Sequence, residues 1–112
     1  MGTRTESDSL GSLEIPADAY WGVQTARAVA NFPISGLRLP PAMIRAYARI
    51  KRASAEVNGE LGVVSVELAR AIAGAAAEIE EGKLADQFVV DVYQAGAGTS
   101  FHMNVNEVIA NR

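Results

Sequence analysis

The chain has 112 residues, a formal net charge of −3 and hydrophobic residues at 49% of its positions. This length fits one domain, and the apolar content indicates a folded protein rather than a disordered one. The negative charge gives no basis for nucleic-acid binding, which rests on neutralising phosphates. The absence of cysteine excludes disulfides and thiolate metal sites and fits a reducing compartment. No segment approaches the roughly 20 apolar residues of a membrane span. The composition therefore predicts a cytoplasmic protein without a nucleic-acid or membrane partner.

The amino-terminal region is polar at first and then more apolar. Residues 1–9 have mixed charge and lack the apolar core of a secretory signal, so they are interpreted as a flexible tail. Leu10 to Ile15 is predicted to form a short strand or extended arm, because the residue before Pro16 prefers an extended conformation. Thr25 to Phe32 is predicted to form a short helix, which Pro33 closes.

Two longer helices are predicted in the middle of the chain. One runs from Pro41 to Leu61 and begins at a proline pair, which suits a first helical turn. The other runs from Ser65, a plausible N-cap, to Glu81, just before Gly82. Apolar residues spaced three and four apart predict one buried face on each helix. These faces consist of Met43, Tyr47, Ile50, Ser54, Val57 and Leu61 in the first helix, and of Leu68, Ile72, Ala75 and Ile79 in the second.

Acidic residues occur at the end of the second predicted helix and in the segment that follows it. Glu78, Glu80 and Glu81 are interpreted as a solvated face, because exposed charge runs on helices are common. Phe88 to Val92 alternates in character, which predicts a short strand or an extended run. Asp86 and Asp91 flank this run and are interpreted as turn and capping residues, not as an acid/base pair. The predicted fold is mainly α with short extended segments.

A loop of small residues opens the last helix. Gly96 to Ser100 lacks the third glycine of a dinucleotide-binding loop, because Phe101 stands there, and no lysine of a phosphate loop follows. The first N–H groups of a helix still lack internal partners and carry partial positive charge. A carboxylate can therefore bind there, with the hydroxyls of Thr99 and Ser100 as further donors. The alternative is an ordinary helix cap, in which a Thr or Ser hydroxyl satisfies its own backbone.

The last helix carries amide side chains between apolar flanks. Asn104, Glu107 and Asn111 lie on one face, which predicts either a buried polar network or a solvent-facing stripe. His102 is the only histidine and is interpreted as a hydrogen-bonded packing residue, because no metal or triad partners accompany it. The helix reaches Arg112 without a stop signal, so the chain is expected to be part of a longer protein. The apolar side chains expected to remain partly exposed are Val105, Val108 and Ile109.

Several ordered motifs resemble the aspartase/fumarase superfamily. Residues 14–25 (EIPADAYWGVQT) are similar to the opening of that family, and residues 103–112 (MNVNEVIANR) to a motif that aspartases and class II fumarases share. Residues 86–100 resemble aspartases. Fumarases usually carry Trp at the position of Tyr93 and Ser-Gly-Thr-Gln in place of residues 97–100. The similarity covers almost everything after residue 9.

The resemblance implies that residues 10–112 are the N-terminal helical domain of a lyase of this superfamily, truncated in its last helix and lacking the central helical bundle. Such enzymes abstract a proton beside a carboxylate, form an aci-carboxylate intermediate and expel ammonia or water to give fumarate. They need no metal or organic cofactor, and they are homotetramers whose sites combine three subunits. The serine base and a partner histidine would lie downstream, so this chain would hold no catalytic residue and would be inactive alone. The implied substrate-binding residues are Thr99, a carboxylate ligand, Gly98 and Ser100, which would shape the pocket, and Asn104 and Asn106, which would support it from the helix.

Three functions follow from these patterns. The favoured one is an ammonia-lyase that converts L-aspartate, a small dicarboxylate, to fumarate and ammonia. The alternative within the superfamily is a class II fumarate hydratase, which interconverts fumarate and L-malate. The alternative of another class is a non-catalytic helical module for assembly or binding.

Overall fold

The expected mainly α fold is confirmed by a computed structural model that describes residues 2–112. Within this range there are four α-helices and one antiparallel sheet of two strands. A single 3-10 turn, Ala85–Gln87, precedes the last helix. The elements in chain order are β1 (Thr3–Asp8), β2 (Gly11–Pro16), α1 (Val23–Asn31), α2 (Pro41–Glu60), α3 (Val66–Glu80) and α4 (Thr99–Asn111).

The chain divides into two compact units. The first unit consists of residues 2–39 and 86–112 and contains the sheet, α1 and α4. The second unit consists of residues 40–85 and is a hairpin of α2 and α3. No helix within residues 2–112 has the length and apolar character needed to cross a membrane.

The first residues form a strand, so the predicted flexible tail is wrong for Thr3–Asp8. This strand pairs along its whole length with Gly11–Pro16, with Arg4 opposite Ile15. The prediction fails because most side chains of the small sheet stay at least partly exposed. A polar sequence is therefore compatible with an exposed strand as well as with a flexible tail. The strand predicted at Leu10 to Ile15 is confirmed within one residue at each end.

Two arginines attach the two-stranded sheet of β1 and β2 to the segments that follow it. The guanidinium of Arg4 donates to the carbonyl oxygens of Ala19 at 2.6 Å and Trp21 at 2.9 Å. Arg27 of α1 pairs with Asp8, with 2.9 Å between its Nη2 and the carboxylate Oδ1. These bonds reach 15 to 19 residues along the chain, which explains why local sequence patterns do not reveal them.

Helices α2 and α3 bury mainly small residues. The large apolar stripe predicted for α2 is wrong, because Met43, Ile50, Val57 and Leu61 are all exposed. For α3 the prediction holds at Ala75 and Ile79, whereas Leu68 is exposed. Apolar residues occur on more than one side of α2, so spacing alone does not identify its buried side. The residues that are buried are Ile44, Ala48 and Ala55 on α2, and Ala69, Ala75, Ala76 and Ile79 on α3.

The boundary signals of the two hairpin helices are confirmed. Helix α2 starts with Pro41 at its first position, where a proline loses no hydrogen bond. The Ser65 hydroxyl caps α3 by accepting a hydrogen bond from the Leu68 N–H at 3.2 Å. These signals are local, so the sequence alone predicts them well.

Glu80 departs from the predicted solvated face. Its side chain is only 10% exposed, and its two oxygens pair with Arg49 at 3.0 Å and Arg52 at 2.8 Å. A carboxylate near a helix C-terminus meets an unfavourable dipole. The two guanidiniums of α2 offset that repulsion and tie the helices together.

Two glycines of the hairpin are expected to respond oppositely to alanine. A Cβ at Gly59 would lie 2.7 Å from the Cβ of Ala69, whereas one at Gly74 would meet nothing within 4 Å. Gly59→Ala is expected to lower the free energy of unfolding by about 1–2 kcal/mol, since overpacking outweighs the gain in helix propensity. Gly74→Ala is expected to raise it by about 0.5–1 kcal/mol. Urea unfolding of both variants checks this pair, and a stabilised Gly59→Ala would contradict the close helix contact.

The apolar side of α4 is buried, so its predicted exposure is wrong. Val105 and Val108 are fully covered, and Ile109 is 8% exposed. Helix α4 packs against α1 within the first unit, and Phe101 packs against Phe88 with ring centroids 6.2 Å apart. The surface that covers α4 therefore comes from this same chain and includes both α1 and Phe88.

Candidate functional site

The candidate site is the loop before α4 together with the first turn of that helix. Gly98 is the N-cap and adopts the left-handed conformation, with φ at 75°, which glycine reaches without a Cβ clash. Its N–H closes a turn on the carbonyl of Ala95 at 2.9 Å. Thr99 is exposed and is the first helical residue rather than the cap. The alternative in which Thr99 merely caps the helix is therefore not what the structure has.

A side chain from outside the loop satisfies the first turn of α4. The Oε1 atom of Gln94 accepts a hydrogen bond from the Phe101 N–H at 2.8 Å. The Nε2 atom of the same side chain donates to the carbonyl of Asp91, also at 2.8 Å. Gln94 thus supplies the capping acceptor that Gly98 lacks.

Asp91 anchors the chain just before the loop. Its carboxylate accepts hydrogen bonds from Ser35 (N–H and Oγ) and from the N–H of Gly36, all at 2.8 Å, and from the Tyr93 N–H at 2.9 Å. These bonds, led by the one from Tyr93, lower the pKa of Asp91 to about 2, although burial acts in the opposite direction. The interpretation of Asp91 as a turn and capping residue is confirmed.

The acid stability of the protein is expected to depend on Asp91. A depressed folded-state pKa contributes stability above the ordinary value of 3.8, and this contribution is lost as the pH falls toward about 2. Asp91→Asn is expected to lower the unfolding temperature at pH 7 and to flatten its fall between about pH 4 and 2. Thermal unfolding across pH checks this, with Asp86→Asn as the control, since that carboxylate is exposed. An Asp91→Asn profile parallel to the wild type would contradict the anchor.

Asn104 is fully buried and holds the segment that leads to the loop. Its Nδ2 donates to the Gln87 carbonyl at 2.9 Å, and its Oδ1 accepts from the Val89 N–H at 3.0 Å. Of the two alternatives for this helix face, the buried polar network is confirmed at Asn104. Its amide faces the interior of the first unit and supports the loop from behind.

The same face of α4 binds two further segments. Glu107 lies at the N-terminus of α1, where its carboxylate accepts bonds from the N–H groups of Gly22 at 3.1 Å, Gln24 at 3.0 Å and Thr25 at 2.8 Å. The Asn111 amide donates to the Tyr20 carbonyl at 2.7 Å. Sequence reasoning does not assign Glu107 this role. The only signal was its place on the predicted polar face.

The opposite side of α4 is open. Thr99, His102 and Asn106 share one side of the helix by their spacing. His102 is hydrogen-bonded as predicted, but it is exposed, so the packing part of its interpretation is wrong. The Nδ2 atom of Asn106 lies 3.2 Å from the His102 Nε2. The predicted site residues therefore divide in two, with Thr99 and Asn106 on the open side, and Ser100 and Asn104 buried.

Within residues 2–112 no group of three or more His, Asp or Glu side chains is arranged to hold a metal ion. The absence of a required cofactor stays a prediction from the resemblance.

The fold and its loop-to-helix opening are those of the N-terminal domain of a lyase. The lyase family model matches residues 11–112, and the chain belongs to this family, within the aspartase/fumarase superfamily. The resemblance seen in the sequence is confirmed at this level.

Two curated relatives carry the names of the two candidate enzymes. A class II fumarate hydratase of Halobacterium salinarum is 56% identical over 97% of this chain and 23% of its own length. An aspartate ammonia-lyase of a Bacillus species is 53% identical over the same shares. The chain thus spans about a quarter of the length of these relatives.

Solved structures agree with this assignment. A fumarate lyase:delta crystallin from Brucella melitensis, in native form, matches with a TM-score of 0.94 and 52% identity over 96% of this chain and 26% of that chain. A class II fumarase from Schistosoma mansoni matches with a TM-score of 0.93 and 37% identity over 96% of this chain and 23% of that one.

Proposed function

We propose that this chain is the N-terminal part of an ammonia-lyase that converts L-aspartate to fumarate and ammonia. The reaction removes a proton beside a carboxylate and then expels the amine. Membership of the lyase family supports the general chemistry. The observation that carries the finer proposal is the loop composition, with Tyr93 and Ala97 where fumarases usually carry Trp and Ser. The homotetramer and the cytoplasmic location stay predictions.

The loop suits a dianionic intermediate. The exposed Thr99 hydroxyl lies at the positive end of α4 beside the N–H groups of Thr99 and Ser100, whereas the Phe101 N–H is bonded to Gln94. Donors that are already in position stabilise developing charge without reorganising. Thr99 binds a substrate carboxylate, and Gly98 lets the chain approach it closely. Ser100 and Asn104 act from the buried side.

The active-site base and the contacts to the ammonium group are not assigned to any residue of this chain. They belong to the rest of the longer enzyme, which the resemblance implies. The 112 residues alone are therefore expected to show no turnover. Asn106 shares the open side of α4 with Thr99 and is assigned to the outer wall of the same pocket.

Ala97 lacks a group that could hold a hydroxyl leaving group. Its methyl is exposed in the loop two residues before Thr99. A serine at this position could donate to or accept from a hydroxyl, and alanine cannot. Sites that hydrogen-bond a hydroxyl discriminate strongly for it and lose that preference when the partner is absent.

A class II fumarate hydratase is the second candidate. The 56% identity to the Halobacterium enzyme, slightly above the 53% to the Bacillus aspartase, favours it. The two candidates share the proton abstraction and differ in the leaving group. The third alternative, a non-catalytic helical module, would be supported if the full-length protein acted on neither L-aspartate nor L-malate.

We expect the purified full-length protein to release fumarate from L-aspartate faster than from L-malate. Fumarate absorbance follows both reactions. Ala97→Ser should shift the ratio of the two rates toward malate, and Ala95→Ser, at another exposed alanine of the loop, should leave it unchanged. Faster release from malate by the wild type would replace the aspartase proposal with the fumarase one.

A further inference from the structure

The loop that presents Thr99 has few contacts of its own. Ala95, Gly96 and Ala97 are exposed and carry at most a methyl group. The turn bond from the Gly98 N–H to the Ala95 carbonyl closes the loop but does not attach it to the rest of the unit. Without an external attachment such a segment samples many conformations, because small residues restrict the backbone little.

Gln94 provides that attachment at both ends of the loop. One amide group donates to the Asp91 carbonyl and accepts from the Phe101 N–H, each at 2.8 Å. The two bonded residues are ten positions apart, and the loop lies between them. A primary amide offers a donor and an acceptor together, so hydrocarbon side chains of similar length cannot replace it.

The attachment is itself fixed on one side. The Asp91 carboxylate is held by Ser35 and Gly36, which are more than 50 residues away in the chain. The Tyr93 N–H bonds to the same carboxylate at 2.9 Å. The backbone around Asp91 is therefore fixed, and the Gln94 side chain connects the first turn of α4 to it.

We propose that Gln94 is a positioning residue for catalysis: its two-ended bridge between Asp91 and Phe101 fixes the loop that presents Thr99 to the substrate. This inference rests on the proposed function, since it assumes that Thr99 binds a substrate carboxylate. Gln94 acts through the loop and does not contact the substrate itself. A small displacement of the loop moves the Thr99 hydroxyl, and misplacement of about 1 Å can reduce turnover about a hundredfold.

The test uses the full-length protein with Gln94→Leu, which removes both bonds. The kcat/KM for the preferred dicarboxylate is expected to fall about ten- to a hundredfold, mostly in kcat. Gln94→Glu keeps an acceptor for Phe101 but loses the donor to Asp91. Its kcat/KM should lie between the values of the wild type and Gln94→Leu. The control is Gln24→Leu, because Gln24 is also half-buried and its amide makes one bond, to Asp8 at 2.6 Å, away from the loop.

A double variant separates positioning from general stability. If Gln94 acts through Thr99, then Gln94→Leu should cost little more in a Thr99→Ala background, whereas independent effects would add. Full additivity of the two substitutions, or wild-type kinetics in Gln94→Leu, would overturn the proposal.

Amide hydrogen exchange distinguishes a failure of this inference from a failure of the proposed function. Exchange in residues 95–101 should become about three- to tenfold faster in Gln94→Leu, and unchanged in Gln24→Leu. If the wild type acts on neither aspartate nor malate, the proposed function fails, and faster exchange still supports the bridge. Unchanged exchange in residues 95–101 overturns the bridge whatever the activity.

Discussion

Replacing Thr99 by alanine in the full-length enzyme is expected to lower turnover of its dicarboxylate substrate about ten- to a hundredfold. A hydroxyl that donates to a charged oxygen contributes roughly 1.5–3 kcal/mol. Folding should change little, because Thr99 is exposed and Gln94 supplies the helix cap. Steady-state kinetics together with thermal unfolding measure the two effects separately.

Thr99→Ser is the matched control for this substitution. It keeps the hydroxyl at the same backbone position and is expected to retain most of the activity. Unchanged kinetics in Thr99→Ala, or a loss fully explained by lower stability, would remove Thr99 from the substrate site.

Asn104→Ala is expected to have the largest effect on stability, lowering the free energy of unfolding by about 2–5 kcal/mol. The substitution leaves the Gln87 carbonyl and the Val89 N–H without their partner beneath a buried side chain. Each unsatisfied buried group costs about 1–3 kcal/mol. Urea unfolding monitored by circular dichroism gives the difference.

The control lies two residues along the same helix. Asn106 is only partly buried, and its amide contacts side chains of α4 itself, His102 and Met103. Asn106→Ala is therefore expected to cost less than about 1 kcal/mol. Equal costs at the two positions would show that the Asn104 network contributes little.

The sequence predicts the helices better than it predicts what they bury. Proline at Pro41 and the Ser65 cap are local signals, and the structure has helices at both places. The buried side of α2 depends on small residues such as Ala48 and Ala55, which add little to a hydrophobic pattern. Helix packing depends on close approach of the two helices as well as on apolar area. A stripe of large apolar residues therefore does not by itself identify the buried side of a helix.

The remaining differences come from contacts between distant parts of the chain. The strand Thr3–Asp8 has no apolar periodicity, and it is held by its partner strand and by Arg27. Helix α4 packs against α1, which lies near the other end of the sequence. Local spacing contains no information about such partners.

For the candidate site, the sequence predicts the loop and the residue types but not their support. Thr99 and Gly98 follow from the motif, and the structure places them in an exposed loop and first turn. The bridge made by Gln94 is visible only in the three-dimensional structure, because an isolated glutamine before a loop has many ordinary roles. Whether Thr99 binds substrate stays a prediction.

The bonds from Glu107 to Gly22, Gln24 and Thr25 span 82 to 85 residues of sequence. During synthesis, the hairpin of residues 40–85 leaves the ribosome before α4 does. At that stage the N-terminus of α1 has not yet bound the Glu107 carboxylate. Contacts between neighbours in sequence form early, and those that close long loops form late. We therefore expect the hairpin to fold first, and the unit that carries the candidate site to fold only after α4 has been synthesised. During that interval the apolar side of α1 lacks its partner surface on α4, and transiently exposed apolar surface of this kind favours aggregation of a nascent chain.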